Sequence, residues 1–181
     1  VDRTGHITVE QLLAHASGLP DFIEDYPVRG SEDARTLVEI LVEEGDRGWS
    51  LEDTVERVRG NLVPHFLPQP LGAQGAPPGG ARGLRALLAR RGPRIRYSDT
   101  GYQLLMAMVE ERTGTPFHEA VEALVLDPLG LEETWIPGHP RPGTPETPVA
   151  ALWAGDQLLE LPRFFQALGD LNATAPDLLA F

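Results

Sequence analysis

The chain reads as mainly α on three observations. Apolar residues recur at helical spacing in successive segments, and Ser or Thr stands in front of most of them as a capping residue. Two short apolar stretches around a turn at residues 149–161 are enough for at most a short β-hairpin.

From Thr8, the residues Val9, Leu12 and Leu13 predict a first helix, with Thr8 as N-cap, Gln11 completing a capping box, and Gly18 and Pro20 as the stop. A second helix is expected from Ser31 to about Gly45, capped by Ser31, with Leu37, Ile40 and Leu41 on one face. A third starts at Ser50, where Asp53 supplies the capping-box partner, and continues through Val55 and Val58. Residues 64–93 are rich in Pro and Gly apart from 84–89, and read as a surface loop or insertion with at most a short helix.

Periodicity returns at residues 100–113, with Leu104, Leu105, Met108 and Val109 on one face, Asp99 or Thr100 as cap and Gly114 as stop. A helix from Pro116 carries Phe117, Ala120, Val121, Leu124 and Val125, and ends near Gly130. Residues 137–148 read as loop, and the stretches Val149–Trp153 and Gln157–Leu161 predict a hairpin around Ala154, Gly155 and Asp156. Thr174 and Pro176 start a last helix that the sequence stops inside, so we expect residues 1–181 to be a single lobe excised from a larger domain.

A formal net charge of −12, from 27 acidic and 15 basic residues, repels a phosphate backbone and argues against nucleic-acid binding. No apolar run approaches the roughly 20 residues of a membrane span. The segment VDRTGHITVE lacks the basic start and apolar core of a secretory signal, which leaves the compartment unassigned. With no cysteine and no lysine, the chain offers no disulfide, thiolate ligand, thiol nucleophile or amine base.

The histidines His6, His15, His65, His118 and His139 lack metal-site spacing and read as structural or surface residues, so neither metal nor cofactor is called. His15 and Ser17 lie close enough to suggest a nucleophilic pair. They lack a Gly-x-Ser-x-Gly elbow, however, and a helix exit with His15 bonding locally is the stronger reading. Glu43-Glu44 and Glu132-Glu133 read as solvated faces, because adjacent residues on a helix do not face each other. Trp49, Trp135 and Trp153 read as core or lobe-edge packing. Tyr97 is a packing residue or a catalyst; a phenol with a pKa near 10 is a poor base unless cations stabilise its anion, and only Arg94 and Arg96 are near in sequence.

TVEQLLAHASGLP, residues 8–20, resembles the T-x-x-x-L-L-x-H-x-S-G-L-P signature of the class C β-lactamase-like serine hydrolases, which include penicillin-binding proteins, D-aminopeptidases and family VIII esterases. Residues 97–102, YSDTGY, resemble that family's Y-S-N-x-G-Y motif. The likeness continues through Leu104-Leu105, Glu110 to Gly114, Phe117 and residues 127–131, and TAPDL at 174–178 is similar to the helix start S-T-A-x-D-L. The resemblance implies the helical lobe of a β-lactamase/transpeptidase-like α/β fold. It also implies a parent enzyme that cleaves an ester, amide or β-lactam through an acyl-enzyme. It gives Tyr97 the role of general acid/base and Asp99 the Asn-equivalent place in the motif. The family's S-x-x-K serine and lysine and its K-T-G strand have no counterpart among these residues, so the chain is expected to be inactive alone and to need the remaining α/β part of the parent. Asp99 departs from the motif: an ionised carboxylate only accepts hydrogen bonds, whereas asparagine also donates. A noncatalytic peptidoglycan- or partner-binding module is the alternative, and self-association through an exposed apolar face is expected.

Overall fold

A computed structural model describes residues 7–31, 33–68, 94–142 and 149–181. Most of the predicted 64–93 loop, with its possible helix at 84–89, lies outside the described residues, as does His6. Helices dominate and the strands are short antiparallel pairs, so the mainly α expectation holds.

Helix α1 (Val9–Leu13) has the predicted capping box: the Gln11 amide N–H donates to Thr8 Oγ1 at 3.2 Å, and the Thr8 N–H donates to Gln11 Oε1 at 2.9 Å. It ends well before Gly18. The His15 N–H reaches Leu12 O at 3.1 Å and the Ala16 N–H reaches Gln11 O at 2.8 Å, the paired bonds of a Schellman turn. Such a turn needs a left-handed residue, and His15 supplies it with φ +53° where glycine is usual, at a cost of about 1–2 kcal/mol. Gly18 serves a different purpose. It has φ +76°, and a Cβ there would lie 2.1 Å from Phe66 O, so the close approach of the 65–66 backbone requires glycine.

Helix α2 (Leu37–Glu44) is capped by Thr36, not by Ser31. Thr36 Oγ1 accepts from the Glu39 N–H while Glu39 accepts from the Thr36 N–H at 2.7 Å. The Ser31 hydroxyl donates instead to Asp33 O, and Arg35 grips the Asp33 carboxylate, holding this stretch out of the helix. Helix α3 (Leu51–Asn61) begins at Ser50 with Asp53 as its partner, as the spacing predicts. Its buried face is polar: Thr54, Arg57 and Asn61. The Arg57 guanidinium donates to Phe22 O at 3.0 Å and Arg35 O at 3.1 Å, tying α3 to two points of the segment between α1 and α2.

Helix α4 (Asp99–Thr113) stops at Gly114 in the left-handed region. Neither Asp99 nor Thr100 caps it. Ser98 does, accepting from the Gly101 N–H, while the Thr100 hydroxyl accepts from the Phe22 N–H at 3.2 Å. Helix α5 (Phe117–Val121) follows Pro116 and passes through a π-helical turn (Glu122–Leu126) into α6 (Asp127–Leu129). The wider turn shifts the face by a residue, so Leu126 is buried and the expected inward residue Leu124 is exposed.

Strand β1 (Thr134–Trp135) pairs antiparallel with β4 (Asn172–Ala173), and the predicted hairpin is β2 (Leu152–Ala154) with β3 (Gln157–Leu159). Between them α7 (Pro162–Leu168) was not anticipated. It buries Phe164 in a core of Phe22, Leu37, Ile40, Leu41, Trp49 and Leu161. Helix α8 (Ala175–Ala180) starts at Thr174 as predicted, and Asp177 accepts from the Glu133 N–H and the Thr134 hydroxyl, fixing it to β1.

Trp49 is in the core, Trp135 is half-buried in β1 and Trp153 is exposed on the hairpin. Glu43 and Glu44 pair with Arg35 at the surface, and the Glu133 carboxylate accepts from the Thr174 hydroxyl. No helix of the described residues is long and apolar enough to cross a membrane.

Candidate active site

The Tyr97 motif lies where the loop after α1 is laid along the start of α4. The Arg96 N–H donates to His15 O at 2.9 Å and the Ser98 N–H to His15 Nδ1 at 3.2 Å. Buried Ser98 donates its hydroxyl to Pro20 O, and the Asp99 N–H donates to Asp21 Oδ2 at 2.6 Å. Residues 15–22 thus hold successive groups of residues 96–100.

Asp21 organises the turn. Its other oxygen accepts from the Ile23 and Glu24 N–H groups at 2.7 and 2.8 Å, so a buried carboxylate is satisfied almost wholly by backbone amides. Asp25 closes the turn from below, accepting from the Asp21 N–H, His65 Nε2 and Arg96. Burial pushes the Asp25 carboxyl up, but the hydrogen bonds from His65, the Asp21 amide and Arg96 together outweigh it and hold it below its usual value. Sequence reasoning missed both carboxylates. Their only local signal is Asp-x-x-x-Asp after a proline, the spacing of a self-capped turn.

On this frame the Tyr97 hydroxyl donates to Asp99 Oδ1 at 2.7 Å, and the Tyr97 side chain is half exposed. Asp99 is partly buried. Burial raises its carboxyl above the usual range; the Tyr97 hydrogen bond opposes this, and the charges of Asp21, Asp170 and Glu24 reinforce it. The hydrogen bond to Asp99 raises the Tyr97 phenol above its ordinary value, with burial and the charges of Asp99, Asp21 and Asp170 adding to the effect. In this setting Tyr97 is a neutral hydroxyl that donates. It becomes a base only when a cation offsets the surrounding negative charge.

His15 contacts two rings, Tyr97 at 4.7 Å and Tyr102 at 5.1 Å between centroids. Its hydrogen bond is to Ser98, far away in sequence, rather than local as expected. Ser17 is buried and its hydroxyl accepts from the Leu19 N–H, so His15 and Ser17 do not form a nucleophilic pair. His118 and His139 stack at 3.5 Å on the far part of α5 and the turn after β1. Among the described residues no three His, Cys, Asp or Glu side chains converge as metal ligands.

Residues 97–99 thus form a Tyr-x-Asp turn at the head of the long helix of a mainly α lobe. The family model Beta-lactamase matches residues 1–181, and the chain belongs to that family. Two solved structures share its fold. D-amino acid amidase from Ochrobactrum anthropi SV3, complexed with D-phenylalanine, is 22% identical over 100% of this chain and 44% of its own, with a TM-score of 0.58. D-stereospecific amidohydrolase from Streptomyces sp. is 24% identical over 97% of this chain and 45% of its own, with a TM-score of 0.61. The chain therefore spans less than half the length of these structures. No curated protein matches it.

Proposed function

We propose that this chain supplies the proton-transfer half of a serine hydrolase that cleaves an ester or amide bond through an acyl-enzyme. The observation that carries this reading is the Tyr97 hydroxyl, half exposed and held 2.7 Å from Asp99 on a turn whose backbone is fixed by Asp21. A serine nucleophile and a lysine come from a segment outside these residues. The lysine ammonium enters an acidic setting of Asp99, Asp21 and Asp170, offsets their charge and lowers the Tyr97 phenol toward the range where it can exchange a proton. Once its own proton has passed to solvent and the ammonium stabilises the anion, the Tyr97 phenolate takes the serine proton during attack and, as the phenol, returns it to the leaving group. Asp99 accepts from Tyr97 and orients it.

Asp99 also bears on substrate class. An asparagine amide can donate to a substrate carbonyl, but an ionised carboxylate cannot, and it favours a cationic group instead. An amide of an amino acid, carrying a free ammonium, suits this site better than a β-lactam. The fold shared with a D-amino acid amidase and a D-stereospecific amidohydrolase supports that choice.

Two measurements test the reading. The isolated chain should give no turnover of a chromogenic cephalosporin, a p-nitrophenyl ester or an amino-acid p-nitroanilide, and serine-dependent turnover would sink the claim. In the protein that joins this lobe to a Ser-x-x-Lys segment, Tyr97→Phe should lower kcat by roughly 10²- to 10⁴-fold, the usual contribution of a general acid/base. Unchanged kcat would remove Tyr97 from the chemistry.

A further inference from the structure

We propose that His15 is the positioning residue for Tyr97, a role that rests on the proton-transfer reading above. Three observations on one residue converge. His15 occupies the left-handed position of the turn that ends α1, with φ +53°, where glycine would sit without strain. A side chain kept at a strained position calls for something that side chain does.

Its backbone and ring grip both neighbours of Tyr97. His15 O accepts from the Arg96 N–H at 2.9 Å, and His15 Nδ1 accepts from the Ser98 N–H at 3.2 Å. Accepting at Nδ1 places the neutral ring's proton on Nε2. The same ring then packs against Tyr97, at 4.7 Å and tilted 37°, with Tyr102 against it at 5.1 Å. Tyr102 is itself tied to α1 by its hydroxyl, which donates to Leu13 O at 3.3 Å.

Glycine at position 15 would keep the helix stop and lose every side-chain contact. Ending α1 and positioning Tyr97 are therefore separable functions. The first needs only a left-handed backbone; the second needs an imidazole.

Substitution at residue 15 separates them, read by NMR on the chain itself. His15→Gly should leave the melting temperature unchanged or raise it. It should speed exchange of the Ser98 amide by roughly tenfold, the effect of losing one ordinary hydrogen bond. It should also abolish the contacts of the Tyr97 ring with residue 15 and broaden its rotamer distribution. His15→Asn tolerates the left-handed backbone and keeps a side-chain acceptor, so Ser98 protection should return while Tyr97 stays mobile. His15→Phe should do the reverse, restoring the fixed Tyr97 ring without protecting Ser98.

Unchanged Tyr97 rotamers and Ser98 exchange in His15→Gly would overturn the proposal. So would a His15→Gly chain that fails to fold, since residue 15 would then hold the helix end by more than its backbone. None of these readouts requires turnover, so an unchanged kcat for Tyr97→Phe in the joined protein would remove the proton-transfer reading while leaving the positioning of Tyr97 measured on its own terms.

Discussion

Asp99 carries two opposing electrostatic effects. At the first position of α4 its negative charge is favoured by the unpaired amides of the helix start, worth about 0.3–1 kcal/mol. Burial and the carboxylates of Asp21, Asp170 and Glu24 act the other way and win, since the carboxyl is raised overall. A carboxyl raised on folding contributes stability below its unfolded value, near 3.9, and loses that contribution as pH rises through the folded value. Above the folded value, ionised Asp99 is therefore a cost. Asp99→Asn keeps an acceptor for the Tyr97 hydroxyl and removes the charge, so it should raise the melting temperature at a pH above the folded value of Asp99. At pH 3 the difference should vanish; a gain of equal size at both values would contradict the electrostatic account.

At the level of elements, hydroxyl caps mark where helices begin, and the partner residue decides which hydroxyl is used. Ser50 and Thr36 each share three hydrogen bonds with the acidic residue three positions on. Ser31 precedes the same helix as Thr36, but its hydroxyl donates to a backbone carbonyl within a turn. Replacing Thr36 or Ser50 with alanine should each cost about 1 kcal/mol in denaturant unfolding, whereas Ser31→Ala should stay within about 0.5 kcal/mol. Equal losses at Ser31 and Thr36 would place the cap wrongly. The π turn after α5 has the same lesson for periodicity, because a single wide turn exchanges the roles of Leu124 and Leu126.

Across the whole molecule, the core gathers α2, the loop after α1 and α7, with the buried Arg57 of α3 bonded to two carbonyls of the segment between α1 and α2. Large apolar side chains stand exposed elsewhere: Trp153 and Leu158 face each other across the hairpin, and Leu178, Leu179 and Phe181 project from the last helix. Exposed apolar surface of this kind favours association. Sedimentation of the isolated chain is expected to show species heavier than a monomer that grow with concentration, and a monomer throughout would count against it.

Helix starts at Thr8, Ser50 and Thr174, the hairpin turn and the adjacency of Tyr97 to Asp99 were all legible in the sequence, because each depends on residues within a few positions of one another. The family followed from motifs in order along the chain. What the sequence could not disclose is which distant groups hold that local chemistry in place. Asp21 meets the Asp99 amide, and His15 meets the Ser98 amide, only after nearly eighty or more intervening residues are folded back. Two-residue strands such as β1 and β4 carry no periodicity to read, and α7 became visible only through the core that Phe164 completes. Local hydrogen bonding wrote the elements into the sequence; long-range packing alone decided that a strained histidine and a buried aspartate would set the position of Tyr97.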